Sequence, residues 1–387
     1  MNEELKKELV KARELSRAGK YDEALEIFDR NYEKYPDEFN QAHKDYYSLT
    51  LYKRYVKDFT DEDEFFKAAE HIAELSNQKD TTNNQYCIYT VTLFVVLRYL
   101  NKEHDYYSLL NWLEKVNPDL LGQGKLRKNG RTYSSNLESY YEYSSKAYLY
   151  LQDYEKCIEY SRLGLKKVKV PTNHSDSWHF HRMAKAFAQL KQYDEALIYF
   201  DKTLEVKKEW YVYRDAAKIH IARREYPKAM DYLCPAVLSN DSRRKKVNLY
   251  YLIYQMFERF NRNLALPHAK LYYSLKLESG VRVPDDILAL DIDETTLNSA
   301  DLEKEVKSLW IQYKFRNREL QEGTVVKYVE EKGYGFIKTG DDSIFFHKND
   351  FEAQDVFIGQ KVSFYTEKNF DKSKNKESLK AVYINGL

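Results

Sequence analysis

Residues 12–36 set a pattern to which the first 280 residues keep returning. Ala12, Leu15, Gly19, Tyr21, Ala24, Phe28 and Pro36 describe two helices joined by a tight turn. An alanine on each lets two antiparallel backbones approach closely, Tyr21 and Phe28 fill the space beside them, and Pro36 stops the second helix. The pattern returns at Ala184, Phe187, Tyr193-Asp194-Glu195-Ala196 and Phe200, and again at Ala217, Tyr226-Pro227-Lys228-Ala229, Leu233 and Ala236. Tyr154-Glu155-Lys156-Cys157 with Gly164 is a fair copy. Phe65 to Ile72, Tyr106 to Leu109, and Ala269 with Tyr273 are weaker ones. The anchoring Tyr154, Tyr193 and Tyr226 lie 39 and 33 residues apart. A unit of that length cannot bury its apolar side alone, so the sequence predicts helical pairs stacked on one another.

At these spacings the repeats resemble tetratricopeptide repeats. The resemblance implies an all-α solenoid of six or seven helical pairs, wound as a right-handed superhelix through about residue 280. It also implies protein–protein binding, here through a concave face rich in tyrosine. The chain carries 36 Tyr, and a ring with a polar tip suits half-buried seams and grooves. With seven Pro and twelve Gly in 387 residues, long regular elements are expected throughout.

Charge names no partner, because 62 Lys and Arg against 61 Asp and Glu leave a net +1. Cys87, Cys157 and Cys234 are far apart and odd in number, as expected of reduced thiols in a cytosol. The first residues, MNEELKKELV, show no signal peptide, and the longest apolar patch, Val91 to Leu97, is too short to span a bilayer. A cytoplasmic protein without a membrane segment is expected.

The tail changes period. In Gly323–His347 the segments Lys332-Gly333-Tyr334-Gly335-Phe336-Ile337 and Ile344-Phe345-Phe346-His347 read as two strands. Side chains alternate faces along a strand, so Tyr334 and Phe336 share one face with Gly335 and Ile337 on the other. Phe345 and His347 likewise oppose Ile344 and Phe346. If the aliphatic side chains fill a core, three aromatic rings and an imidazole face outward, an arrangement on which unpaired bases can stack.

These two motifs, in order and suitably spaced, resemble the first and second RNA-binding motifs of the cold-shock domain. Gly359 to Phe364 resembles the opening of that family's fourth strand. The resemblance covers about the last 65 residues and implies a five-stranded OB barrel that binds single-stranded RNA or DNA. Four features depart from the family pattern, one of them a shorter loop before Gly359. Without gaps, its first-strand Lys-Trp-Phe falls on Val326-Lys327-Tyr328, so Lys327 replaces the stacking Trp. Lys348 replaces the Phe after the second motif, and from Glu322 onward ten Lys face eleven Asp or Glu. The nucleic-acid-binding residues expected from the resemblance are Lys327, Tyr328, Lys332, Tyr334, Phe336, Phe345, His347 and Lys348. Each stacked base is worth about 1–3 kcal/mol, so such a platform suits weak-to-moderate, sequence-tolerant binding.

Three domains are expected: helical repeats over 1–282, a capping and linking segment over 283–321, and the barrel over 322–387. Within the linker, Ser299 to about Asn317 reads as one helix, with Ser299 as N-cap and Leu302, Val306, Leu309 and Trp310 on one face. Two basic stretches interrupt the repeats. Residues 117–135 form a loop or irregular insertion carrying Lys125, Arg127, Lys128 and Arg131, and residues 240–246 read NDSRRKK. Either could follow a phosphate backbone, although a solvated charge run is the commoner origin of such a stretch.

Several chemical motifs are incomplete. Leu288 to Thr295, LALDIDET, looks like the nucleophile loop of haloacid-dehalogenase phosphatases. Asp291 and Asp293 lie between helical repeats and a barrel, however, with no room for the parallel sheet that chemistry needs. Gly122-x-Gly124-Lys125 lacks the hydroxyl residue of a phosphate loop, because Leu126 follows the Lys. His179 and His181 point about 200° apart on a helix, which makes joint metal ligation with His174 awkward. No catalytic set, metal site or cofactor is therefore expected.

The sequence reads as a non-enzymatic adaptor, with repeats that bind a protein and a barrel that binds single-stranded nucleic acid. A fusion of this kind looks like the tethering subunit of a larger bacterial assembly. The alternative is a pure scaffold whose barrel also contacts protein.

Overall fold

The turn between paired helices is where the repeat is written into the backbone. In the computed structural model, Gly19 lies in the left-handed region at φ 80°, as do His104, Gln152, Lys191 and Arg224 at φ 59–64°. Each is followed by a residue whose N–H closes on a carbonyl five residues back. These bonds are Lys20 to Leu15, Asp105 to Leu100, Asp153 to Tyr148, Gln192 to Phe187 and Glu225 to His220, at 2.8–3.1 Å. This is the Schellman closure of a helix end, and in each case a tyrosine then opens the next helix: Tyr21, Tyr106, Tyr154, Tyr193 and Tyr226.

The structure describes residues 3–83, 85–128, 130–172, 174–352, 355–371 and 375–387, and for residues 126–128 and 371 it describes the backbone alone. The chain divides into two units, residues 1–208 and 209–387. The first contains the pairs α1 (Glu3–Arg17) with α2 (Tyr21–Lys34), α3 (Gln41–Leu51) with α4 (Glu62–Leu75), and α5 (Ile88–Glu103) with α6 (Tyr106–Glu114). Two further pairs follow, α7 (Asn136–Tyr150) with α8 (Tyr154–Lys167) and α9 (Asp176–Gln189) with α10 (Tyr193–Val206). Ala12, Ala24 and Phe28 are fully buried, as close helix packing requires.

The insertion between α6 and α7 is more regular than a loop. Residues β1 (Leu126–Lys128) and β2 (Arg131–Tyr133) form an antiparallel hairpin, turned by Gly130 at φ 71°. Three-residue strands without an apolar alternation leave little to read in a sequence.

The second unit holds α11 (Trp210–Ala222) with α12 (Tyr226–Val237), α13 (Val247–Phe257) with α14 (Arg262–Glu278), the single turn α15 (Asp285–Leu288), and α16 (Ser299–Lys314). Among the described residues this makes seven helical pairs through residue 278. Helix α16 buries Leu302, Val306 and Trp310 against the core shared by α12, α13 and α14. Its N-cap is Asn298, not Ser299. The Asn298 side chain accepts the N–H groups of Ala300 at 2.9 Å and Asp301 at 3.3 Å, whereas Ser299 is buried in the first turn and accepts from Arg243 at 3.1 Å.

The basic turn at 240–246 is consumed internally. Arg243 also reaches Glu303 at 3.3 Å and Arg244 reaches Glu278 at 3.4 Å. Lys246 is wholly buried, donating to the carbonyls of Val237 and Ser239 at 2.9 and 3.0 Å, and burial pulls its pKa down to about 8.

The remaining strands are β3 (Gln321–Val329), β4 (Tyr334–Thr339), β5 (Asp342–His347), β6 (Lys361–Asp371) and β7 (Lys376–Gly386). They close into a barrel in the order β3-β4-β5-β7-β6. Its core is Val325, Ile337, Ile344, Phe346, Phe351, Val362, Phe364, Ala381 and Ile384. No helix among the described residues is long and apolar enough to cross a membrane.

Candidate nucleic-acid interface

The β4–β5 ladder sets the site. It pairs Tyr334 with His347 and Phe336 with Phe345, while Gly335 meets Phe346 and Ile337 meets Ile344. The second set is buried. Gly335 has to be glycine, since a Cβ there would lie 2.5 Å from the Phe346 ring and 2.2 Å from the carbonyl of Lys327. The first set lies on the opposite face, with the three rings half-buried and His347 exposed. Phe336 and Phe345 are 5.9 Å apart between centroids, Tyr334 and Phe345 5.8 Å, and Phe345 and His347 5.6 Å. Edge-to-face and tilted contacts of this kind lock the rings into one continuous surface.

A β-bulge at Val326 decides what β3 adds. The register shifts between Val325 and Lys327, so that Lys327 falls opposite Phe336 and Tyr328 opposite Gly335. An extra residue reverses the alternation beyond it. Lys327 thus joins the aromatic face and is exposed. Tyr328 does not. Its ring packs on the barrel core, 6.3 Å from Phe346 and nearly parallel to it, and its hydroxyl is buried. The structure therefore separates Tyr328 from the other expected contact residues.

Lys332 ends a short 3₁₀ turn closed by Gly333 at φ 59°, and the Lys348 N–H donates to the Gly333 carbonyl at 2.8 Å. Both lysines are exposed and flank the Tyr334–His347 end of the ladder. Asp350 fastens the same end, accepting from the His347 N–H at 2.8 Å and pairing with Lys380 at 2.8 Å.

Residues beyond the two motifs extend the surface. A groove of about 820 Å³ runs from Tyr334, Phe336 and Phe345 to Asn369, Phe370, Ser378 and Leu379 on the β6–β7 hairpin. The only signal for Phe370 and Leu379 in the sequence is an apolar residue on a charged, polar hairpin.

The other candidate residues lie elsewhere. Lys125 donates to the Pro171 carbonyl at 3.1 Å and Arg131 is exposed; the side chains of Arg127 and Lys128 lie outside the described residues. Asp293 caps its own turn, accepting from the Thr295 N–H at 3.0 Å and hydroxyl at 2.7 Å. His179 is buried in the helical core, where desolvation lowers its pKa to about 3, while His174 is exposed at a left-handed turn. No group of three or more His, Cys, Asp or Glu among the described residues is arranged to hold a metal ion. In the first unit, a groove of about 510 Å³ is lined by Asp29, Tyr32 and Glu33 of α2, Tyr47 of α3, Tyr55, and Glu64 and His71 of α4.

Residues 321–383 match the family described as the 'Cold-shock' DNA-binding domain. No curated protein matches the chain. Among solved structures, the chain is similar to aspartyl phosphate phosphatase F from Bacillus subtilis (14% identity, 81% of this chain and 84% of that one, TM-score 0.41). It is also similar to the C-terminal part of a TPR repeat-containing protein from Cytophaga hutchinsonii (16% identity, 76% and 98%, TM-score 0.38). A third likeness is to YrrB, a TPR protein with an unusual peptide-binding site (13% identity, 52% and 90%, TM-score 0.36). Scores of this size say nothing of partner or activity. The fold is an all-α tetratricopeptide-like repeat followed by a five-stranded cold-shock-type barrel.

Proposed function

We propose that the chain is a non-enzymatic adaptor whose barrel binds single-stranded RNA or DNA by base stacking and whose helical repeats bind a protein partner. The observation that supports the nucleic-acid half most strongly is the joining of Tyr334, Phe336, Phe345 and His347 into one accessible surface opposite a filled core. Every base has an apolar face, so such a surface accepts unpaired bases with little regard to sequence. Lys327, Lys332 and Lys348 stand around it and supply charge for the phosphates. The grooved, tyrosine-lined wall formed by α2, α3 and α4 supports the protein half. Residues 1–282 form the repeat part, 283–321 the capping link and 322–387 the nucleic-acid-binding part in this reading.

The barrel's charge favours a second reading. With ten Lys against eleven Asp or Glu from Glu322, the barrel lacks the basic excess that usually marks a nucleic-acid binder, as would suit a scaffold that contacts only protein. Fluorescence anisotropy of the full chain with labelled oligo-U, oligo-dT and a duplex of equal length separates the two. The adaptor reading expects single strands to bind at low salt and the duplex to bind more weakly. No binding of any single strand, or tighter binding of the duplex, would overturn it.

A further inference from the structure

The β6–β7 hairpin outruns the barrel. Strand β5 meets β7 at the single pair Phe345–Lys380, whereas β6 and β7 remain paired out to Lys368–Leu379, Asn369–Ser378 and Phe370–Glu377. Among the described residues, the hairpin beyond Lys380 is therefore an arm held by the β6–β7 ladder without pairing to β5, and the groove opens between it and β5. Phe370 and Leu379 line that groove yet remain 52% and 51% exposed. Two large apolar side chains on a two-stranded arm gain little by folding alone. They are placed to gain by covering something.

The charges around the groove indicate what that is. Asp342 and Glu377 line it together with Lys376, and Lys380 is neutralised by Asp350 at 2.8 Å. A phosphate would meet two carboxylates there, whereas a neutral base would not.

We propose that this groove is a further base-binding subsite: one unpaired base, next along the strand from those on Phe336 and Phe345, inserts between β5 and the arm. Phe370 and Leu379 cover it. The subsite rests on the stacking reading of the barrel and lengthens the strand that the barrel holds.

A length series tests it with the full chain and labelled oligo-dT of increasing length. The unaltered protein gains affinity until the arm is reached. Phe370→Ala with Leu379→Ala is expected to leave the shortest bound oligomers unaffected and to remove roughly 5- to 150-fold from the longer ones, the range of one stacked base. Phe370→Trp is expected to restore the gain. A double variant that follows the unaltered protein at every length would overturn the subsite and leave the arm as a protein contact. A loss equal at all lengths would also overturn it. If the unaltered chain bound no oligomer at all, the stacking reading itself would fall, an outcome the series separates from failure of the subsite alone.

Discussion

Lys327 stands directly across the β3–β4 ladder from Phe336, on the aromatic face and in solvent. An ammonium there can meet a phosphate, but it offers no ring. Lys327→Trp should therefore add a stacking partner and tighten oligo-dT binding about 5-fold or more, read by anisotropy at fixed salt. Unchanged or weaker binding by a folded Lys327→Trp variant would argue against bases lying along β3.

The link into the barrel is fastened by rings. Phe315, 2% exposed, stacks on Tyr365 at 4.2 Å and 5° from parallel, and Lys314 pairs with Glu367 beside it. Phe315→Ala should cost about 3 kcal/mol, the lower end for a buried Phe cut to Ala, and lower the urea midpoint of the second unit. A midpoint within error of the unaltered protein would show that the barrel does not depend on this stack.

Acid should destabilise the helical core around His268. His268 is fully buried, accepting from the Trp310 indole N–H at 2.8 Å and bonded through its other nitrogen to the Leu264 carbonyl at 2.7 Å. Desolvation, against a smaller opposing effect of that carbonyl, lowers its pKa to about 4 from an ordinary 6.5. A depressed folded pKa means the unfolded chain takes up the proton first. The stability held by neutral His268 is thus complete above pH 6.5 and is lost as pH falls toward 4. Thermal unfolding followed across that window should show a falling midpoint, and His268→Gln should flatten the fall. An unaltered slope in the variant would remove His268 from the account.

Salt should matter little. Neutralising one phosphate of a single strand contributes a slope of about −0.7 in log K against log salt, so contacts from Lys327, Lys332 and Lys348 give roughly −2 at most. Arg131→Ala, on the β1–β2 hairpin, should leave both slope and affinity unchanged. A steep slope that Arg131→Ala reduces would bring that hairpin into the interface.

The sequence disclosed the parts of this architecture that depend on local rules. Ala12, Ala24 and Phe28 announce a helical pair because close packing admits few other residues, and Tyr334, Phe336, Phe345 and His347 share a face because strands alternate. Tyr328 escaped the same rule. One bulge residue, Val326, reverses the parity beyond it, and nothing in the residue types marks where a ladder slips. Asn298 and Ser299 are both good caps, and tertiary burial of Ser299 decides between them. Phe370 and Leu379 lie beyond the two recognisable motifs, and their place on the groove depends on where β5 and β7 part. That is a long-range relationship no local pattern records.

If the outward rings of β4 and β5 hold unpaired bases, truncating two of them should remove most of the binding. Anisotropy titration of the full chain carrying Phe336→Ala and Phe345→Ala tests it most directly, with near-ultraviolet and far-ultraviolet circular dichroism confirming that the barrel is still folded. Oligo-U and oligo-dT binding should fall at least about 25-fold, two stacked bases at the low end of their worth. A folded double variant that binds as tightly as the unaltered chain would contradict it.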